Sequence, residues 1–309
     1  MTDVLKMPTH GDKLRALLVN NKLPANDVGR VTETVKIYEA WIKELRNPVG
    51  DTPSQILDSL VNSLNAYKRH IELELIFDAE DDFLYRQKGQ LKLDNTILEE
   101  FLPYLFDHRL VPGLARIPNL SAGPQSSFAG LSFASPFMAL NAGGVYLKLK
   151  DQDFSVTKSH RITIADEPSN GKSFETKFYV SHFATEIKTN LDKTMFQEAS
   201  QTAAELKRAV PGSTYILLCE FLDMTPITTK LTSIDEVIVL RKAKRLGSNV
   251  REKFSTAAGR KACREQYLKF LDANPLQLDC FARFVAHLNE CFPEKEEDAE
   301  DVVLGRGYF

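Results

Sequence analysis

The sequence predicts an α/β (α+β) protein in which a mixed β-sheet is flanked by helices and preceded by a helical N-terminal region. Two observations carry this. Apolar residues recur at three- and four-residue spacing through the first hundred or so positions, and beyond a Pro- and Gly-marked connection the period changes to two. The chain has 309 residues, 43% of them hydrophobic, which is ample for a proper core.

Each element has its own signal. Val28, Val31, Val35, Tyr38, Trp41, Ile42 and Leu45 form one stripe of a helix over 28–45. Thr52 and Gln55 make a capping-box pattern around Pro53, so a second helix begins there and carries Ile56, Leu57, Leu60, Val61 and Leu64. A third helix is expected over 96–106. Between them, Asp82 to Asp94 is read as a short hairpin turning at Lys88-Gly89 or as a loop, and the sequence leaves both open. Pro112, Gly113, Pro118, Gly123 and Pro124 mark 111–127 as the connection, which divides the chain into a helical region over 1–110 and a second unit over 111–309. Val145, Leu147 and Leu149 alternate as in a half-buried strand. Runs 154–165 and 174–188, separated by a turn-rich ADEPSNGKS, read as a long hairpin. A helix with Phe196, Ala199, Ala203, Leu206 and Val210 on one side follows, stopped by Pro211-Gly212, and then an apolar strand over 214–219.

Composition narrows the function. A formal net charge of -3 excludes a bulk polycation, so a nucleic-acid partner would have to meet local basic surface. The N-terminus lacks the apolar core of a signal peptide and no run approaches a membrane span, so a cytoplasmic protein is expected. Cys219, Cys263, Cys280 and Cys291 have neither CxxC spacing nor a nearby His cluster, and read as reduced thiols.

The end of the hairpin carries the chemistry. In Glu186-Ile187-Lys188 the acid and the amine share one face of a strand while Ile187 points the other way. Alone, such a tripeptide is usually a surface ion pair. Hydrolysis of a phosphodiester with Mg²⁺ asks for a second hard oxygen ligand, and Asp153 and Asp166 are the candidates. With the turn near Asn170, antiparallel register puts Glu186 opposite residue 154, give or take one or two, which selects Asp153 at the mouth of its strand. Asp166 falls at the turn with Glu167 and Pro168.

An acid on one strand followed by (D/E)-x-K on the next, then a helix and a strand, resembles the PD-(D/E)xK nuclease fold over roughly 143–224. EIKTNLDKTMFQEA, with YRQKGQLKLDNT and GPQSSFAGLSF upstream, is similar to type II restriction endonucleases that act as two related or identical subunits, including some that cut short asymmetric sites. Gln152, not Pro, precedes Asp153. The resemblance implies Mg²⁺-dependent cleavage of double-stranded DNA leaving 5′-phosphates. Asp153, Glu186 and the Ile187 carbonyl would hold the metal, and Lys188 would position the attacking water.

Other features have competing readings. Gln197 and Glu198 lie where they can reach back to the site, although polar residues on a helix surface are usually just solvated and a capping box from Thr194 accounts for Gln197. Residues 166–173 nearly match a phosphate-binding loop but lack its first Gly and its parallel βα unit. His160 and His182 lack metal-ligand spacing and read as packed histidines. Arg241, Lys242, Lys244, Arg245 and Arg251 head a basic segment, either a solvated helix face or, in a nuclease, DNA contacts. The acidic tail 293–303 reads as a solvated end. A repair or junction nuclease of the same fold, or a DNA-binding or assembly subunit without catalysis, are the alternatives to a dimeric restriction enzyme.

Overall fold

Helical periodicity in the first third of the chain resolves into α1 (Thr9–Leu18), α2 (Ala25–Arg46) and α3 (Pro53–Arg69) in a computed structural model that describes residues 3–4, 8–133, 145–165, 173–295 and 299–308. α2 buries Val31, Tyr38, Trp41, Ile42 and Leu45, the expected stripe, while Val28 in its first turn stays outside it. α3 opens on both bonds of the expected capping box: Gln55 N donates to the Thr52 hydroxyl, and Thr52 N donates to Gln55 Oε1. It runs on through a π-helical stretch, His70–Phe77.

Residues 82–90 form neither a hairpin nor a loop. They are α4 (Asp82–Gln90), because Phe83, Leu84 and Gln87 fall at helical spacing and are buried together. Gly89 is tolerated near its end. α5 (Thr96–Phe101) tightens into a 3₁₀ turn at Leu102–Leu105, where Pro103 offers no N–H.

Among the described residues the sheet has six strands in the order β1-β2-β3-β4-β5-β6: β1 (Asp3–Val4), β2 (Leu120–Phe133), β3 (Val145–Ala165), β4 (Ser173–Leu191), β5 (Thr214–Leu222) and β6 (Glu236–Lys244). β1 lies parallel to β2, β2 to β4 run antiparallel, and β4 to β6 are parallel. The supposed connection over 111–127 therefore holds most of a strand. Its small and polar residues carry little strand signal, and the pairing with β3 is interrupted near Gly123 and Gly130 by register shifts. The two β-type runs over 144–165 are one strand of 21 residues. Asp166 and most of the turn lie outside the described residues.

α6 (Lys193–Ala209) crosses from β4 to β5 and is capped by Asp192, whose carboxylate accepts from Met195 N. Thr194 is thus inside the helix, so a Thr194 capping box does not account for Gln197. After β6 come α7 (Ser248–Glu252), α8 (Ala257–Ala273), α9 (Leu278–Cys291) and α10 (Ala299–Arg306). One sheet face, with Phe154, Val156, Phe183, Ile187, Ile216 and Leu218, shares a continuous core with the N-terminal helices and α9. The other face packs Ala184, Tyr215, Leu217 and Cys219 on α6. Cys219, Cys263, Cys280 and Cys291 are free thiols. No helix among the described residues is long and apolar enough to cross a membrane.

A buried ion network ties the helices to the parallel strands. Lys68 Nζ lies 2.8 Å from Glu220 and 3.4 Å from Glu72, and the Arg241 guanidinium reaches Glu72 at 2.8 Å and Glu220 at 2.9 Å. Arg241 spends its remaining reach on the Asn274 carbonyl at 2.8 Å. Arg241 is therefore an interior residue of β6, 4% exposed, and not a DNA contact on a helix surface. Its charge is balanced by the two acids. Removing one member strands a charge, so Arg241→Ala should lower unfolding stability by about 3–5 kcal/mol in chemical denaturation. Unchanged stability with weakened DNA binding would instead mark Arg241 as a surface contact.

Candidate active site

The site is made where two strands part. β3 and β4 pair from Ala165↔Ser173 to Phe154↔Thr185 and no further, while β3 continues alongside β2 and β4 alongside β5. Asp153 sits just past the last pair, within β3 and not at its mouth, and Glu186 is the next residue on the facing strand. The register expected from the hairpin holds to within one position. Divergence of the strands leaves the backbone of Ile187 without a partner on β3, and a buried N–H in that state is costly. Asp153 Oδ2 accepts the Ile187 N–H at 2.7 Å and Asn95 Nδ2 donates to the Ile187 carbonyl at 3.2 Å, so two side chains complete what the ladder omits.

Glu186 and Lys188 lie on the opposite face of β4 from Ile187, as alternation requires, and form an ion pair at 2.7 Å. The second Glu186 oxygen accepts from the Tyr215 hydroxyl at 2.8 Å. Burial works against the charge on Lys188, but the Glu186 hydrogen bond and carboxylate hold its pKa above the ordinary lysine value, with Asp153 and Glu198 adding to the effect. Lys188 is a protonated donor here. Burial pushes the Asp153 carboxyl up, opposed by its bond to Ile187 N and reinforced by the charge of Glu186. The Tyr215 hydroxyl is raised by burial and by Glu186, which keeps it a donor.

The N-terminal helices close the fork. Besides Asn95, Glu99 on α5 comes within electrostatic reach of Asp153, and burial with that neighbouring charge raises its carboxyl to about 7. Lys13 on α1 and the exposed Lys92 offset part of this. Lys92 has a φ of 50°, uncommon for a residue with a Cβ, directly before the segment that carries Asn95. Sequence reasoning missed Asn95, Glu99, Lys13, Lys92 and Tyr215. Only the β4–β5 register, which pairs Ala184 with Tyr215, links any of them to Glu186 along the chain.

The remaining candidates are placed as follows. Glu198 is exposed on α6 and its charge is felt by Lys188; Gln197 is exposed. Lys242 is exposed and paired with Asp279, Lys244 is exposed, Arg245 is half-buried 3.5 Å from Asp223, and Arg251 donates to the Leu246 carbonyl at 2.8 Å. His160 stacks on Phe178, and burial lowers the pKa of His182.

Among the described residues no three His, Cys, Asp or Glu side chains converge as a ready metal cage. The fork offers two carboxylates and a main-chain carbonyl instead. All are hard oxygen donors, and the Asp153 carboxyl, pushed up mainly by burial and then by the charge of Glu186, stands where a cation would be favoured. That donor set fits Mg²⁺, which keeps several waters and takes few protein ligands.

The Glu99 carboxyl has a testable sign. Its folded pKa of about 7 exceeds the ordinary 4.5, so the native state keeps a proton that the unfolded chain releases. The stability this proton provides is present below the unfolded value and is lost as pH rises toward the folded one. In metal-free buffer, Glu99→Gln should remove that part of the slope and be more stable than wild type at about pH 8, by up to about 3 kcal/mol in urea melts. Identical pH profiles for the two proteins would contradict the placement.

Comparison with known proteins identifies the fold and the family. The structure is similar to a chain of the native BbvCI A2B2 tetramer, with a TM-score of 0.58 and 20% identity, over 93% of this chain and 95% of that one. No curated protein matches the sequence. The sequence model of the Bpu10I restriction endonuclease family matches residues 90–309, a span holding Asn95, Glu99, Asp153, Glu186 and Lys188, and the chain belongs to that family of restriction endonucleases.

Proposed function

We propose that this type II restriction endonuclease cuts double-stranded DNA with Mg²⁺ at a short recognition sequence and leaves 5′-phosphates, with Asp153, Glu186 and Lys188 as its catalytic residues. One observation carries the reading: both backbone groups of Ile187 are turned into a strand fork flanked by Asp153 on one side and the Glu186–Lys188 pair on the other. Asp153, Glu186 and the Ile187 carbonyl would hold the ion. When bound, Mg²⁺ supplies charge neutralisation at the scissile phosphate.

The chain's own groups do the rest. Lys188, kept protonated by Glu186, donates a hydrogen bond that orients the attacking water and faces the negative charge gathering on the phosphorus oxygens. It is a poor base. Tyr215 fixes the Glu186 carboxylate so that its position does not depend on Lys188 alone. Glu198 lies close enough to act on Lys188 electrostatically. Lys242, Lys244, Arg245 and Arg251 are the basic groups assigned to DNA contacts, each partly or fully exposed. The helical region 1–110 supports the site from behind and is assigned to subunit and DNA contacts.

A duplex presents two strands of opposite polarity, and one such site addresses one bond at a time. Two chains related by a dyad, either identical or closely related, meet this requirement. BbvCI, similar in fold, forms an A2B2 tetramer, which supports pairing with a related subunit.

Incubating the protein, with any related subunit that co-purifies, on long DNA with Mg²⁺ should give discrete fragments with ligatable 5′-phosphate ends. Lys188→Ala should cut at least roughly a hundredfold more slowly while retaining DNA binding, because the group acts mainly in the transition state. Asp153→Asn should lose metal-dependent activity. On a supercoiled plasmid, assemblies mixing wild-type and Lys188→Ala chains should accumulate nicked circles. Near-wild-type cutting by either variant removes the catalytic assignment.

A further inference from the structure

A cavity of about 340 Å³ lies against β4 immediately beyond the fork, with Thr189 and Asn190 in its wall. It shares a partition with the candidate active site. Asn95, which donates to the Ile187 carbonyl, also stands 3.4 Å from the Thr189 hydroxyl, and its neighbour Asp94 lines the cavity.

The lining combines aromatic faces, cationic side chains and a buried carboxylate. Tyr85 and Phe270 are half-buried aromatics, the first with the Arg260 guanidinium 5.0 Å from its ring and the second stacked on Phe221 at 5.5 Å and 25°. Arg245 and Arg251 bring positive charge. Asp94 is 2% exposed, and its Oδ2, although 3.2 Å from Lys88 Nζ, takes no well-aligned hydrogen bond. Lys88 balances its charge, and Oδ2 still has room for a directional donor.

Phosphate would use Lys88, Arg245 and Arg251 but neither the aromatic faces nor the buried Asp94 carboxylate, and so does not account for the whole lining. A nucleobase does. Aromatic faces stack on any base, the arginines draw in the polyanion, and a buried carboxylate accepts from an exocyclic amine such as those of adenine, cytosine and guanine. The volume falls within the roughly 300–1,000 Å³ of small-molecule sites. We propose that the cavity receives one amine-bearing base of the target DNA, turned out of the duplex next to the scissile bond, with Asp94 as its acceptor. This rests on the nuclease reading and goes beyond it.

The test reads extrusion without cutting. Duplexes carrying the recognition site found by end-sequencing, with 2-aminopurine at each position in turn, are bound to the protein in Ca²⁺. A second set carries single mismatches. We expect fluorescence to rise several-fold at one position, and a mismatch at that pair to tighten binding about tenfold, since unpairing no longer has to be supplied. Gly89→Phe should abolish both effects. Gly89 lines the cavity and a Cβ there meets nothing within 4 Å, so a large side chain can be added at the cavity wall without a clash, and a thermal melt verifies the fold. If the protein cuts DNA but no position responds in either assay, the inference fails while the nuclease reading stands. The same holds if the response survives Gly89→Phe, or if that variant alters only the salt dependence of binding, as a lost phosphate contact would. Failure of wild type to cut in Mg²⁺ would overturn the nuclease reading itself.

Discussion

Separation of β3 from β4 is the constraint on which the site depends. Strand pairing satisfies backbone groups two by two, so a fork in the middle of a sheet leaves an N–H and a C=O exposed to an apolar interior. Here both belong to Ile187, and Asp153 and Asn95 take them up. The carboxylate that closes the ladder is thereby fixed beside Glu186. Structural need and proposed chemistry fall on the same atoms, and a ligand held by the backbone it repairs loses little entropy when it binds an ion.

Asn95 in turn depends on the buried ion network. Lys68 donates to the Asp94 carbonyl at 3.0 Å while it pairs with Glu220 on β5, so the segment 94–95 is tied to the strands it plugs. Despite full burial, Arg241 and Lys68 hold the Glu72 carboxyl below the usual carboxylate range. Such networks add little net stability compared with apolar packing but fix one arrangement. In this fold the arrangement they fix is the position of the helical region against the fork.

Legibility in the sequence followed the length scale of each signal. The Thr52–Gln55 cap, the α2 stripe and the β3–β4 register are local or follow from a single turn, and each could be read. Asp153 could be placed beside Glu186 because one hairpin connects the two. β2 was hidden by Gly123, Pro124 and a run of serines, whose pairing comes from β3 and not from propensity. α4 was hidden by Gly89 in a polar stretch. Arg241 looked like surface because its partners, Glu72 and Glu220, lie 169 and 21 residues away. Asn95, Glu99 and Lys13 approach the site only through tertiary packing, which no spacing rule encodes.

The central claim is that the fork is a metal site. The most direct measurement is an anomalous-diffraction map of crystals of the protein, with its DNA, soaked in Mn²⁺ as a surrogate for Mg²⁺. The account predicts a peak within bonding distance of the Asp153 and Glu186 carboxylates and the Ile187 carbonyl, absent in Asp153→Asn. A Mn²⁺ peak on the DNA elsewhere in the complex, with the Glu186–Lys188 ion pair and the Asp153 bond to Ile187 N unchanged and the fork empty, would contradict it.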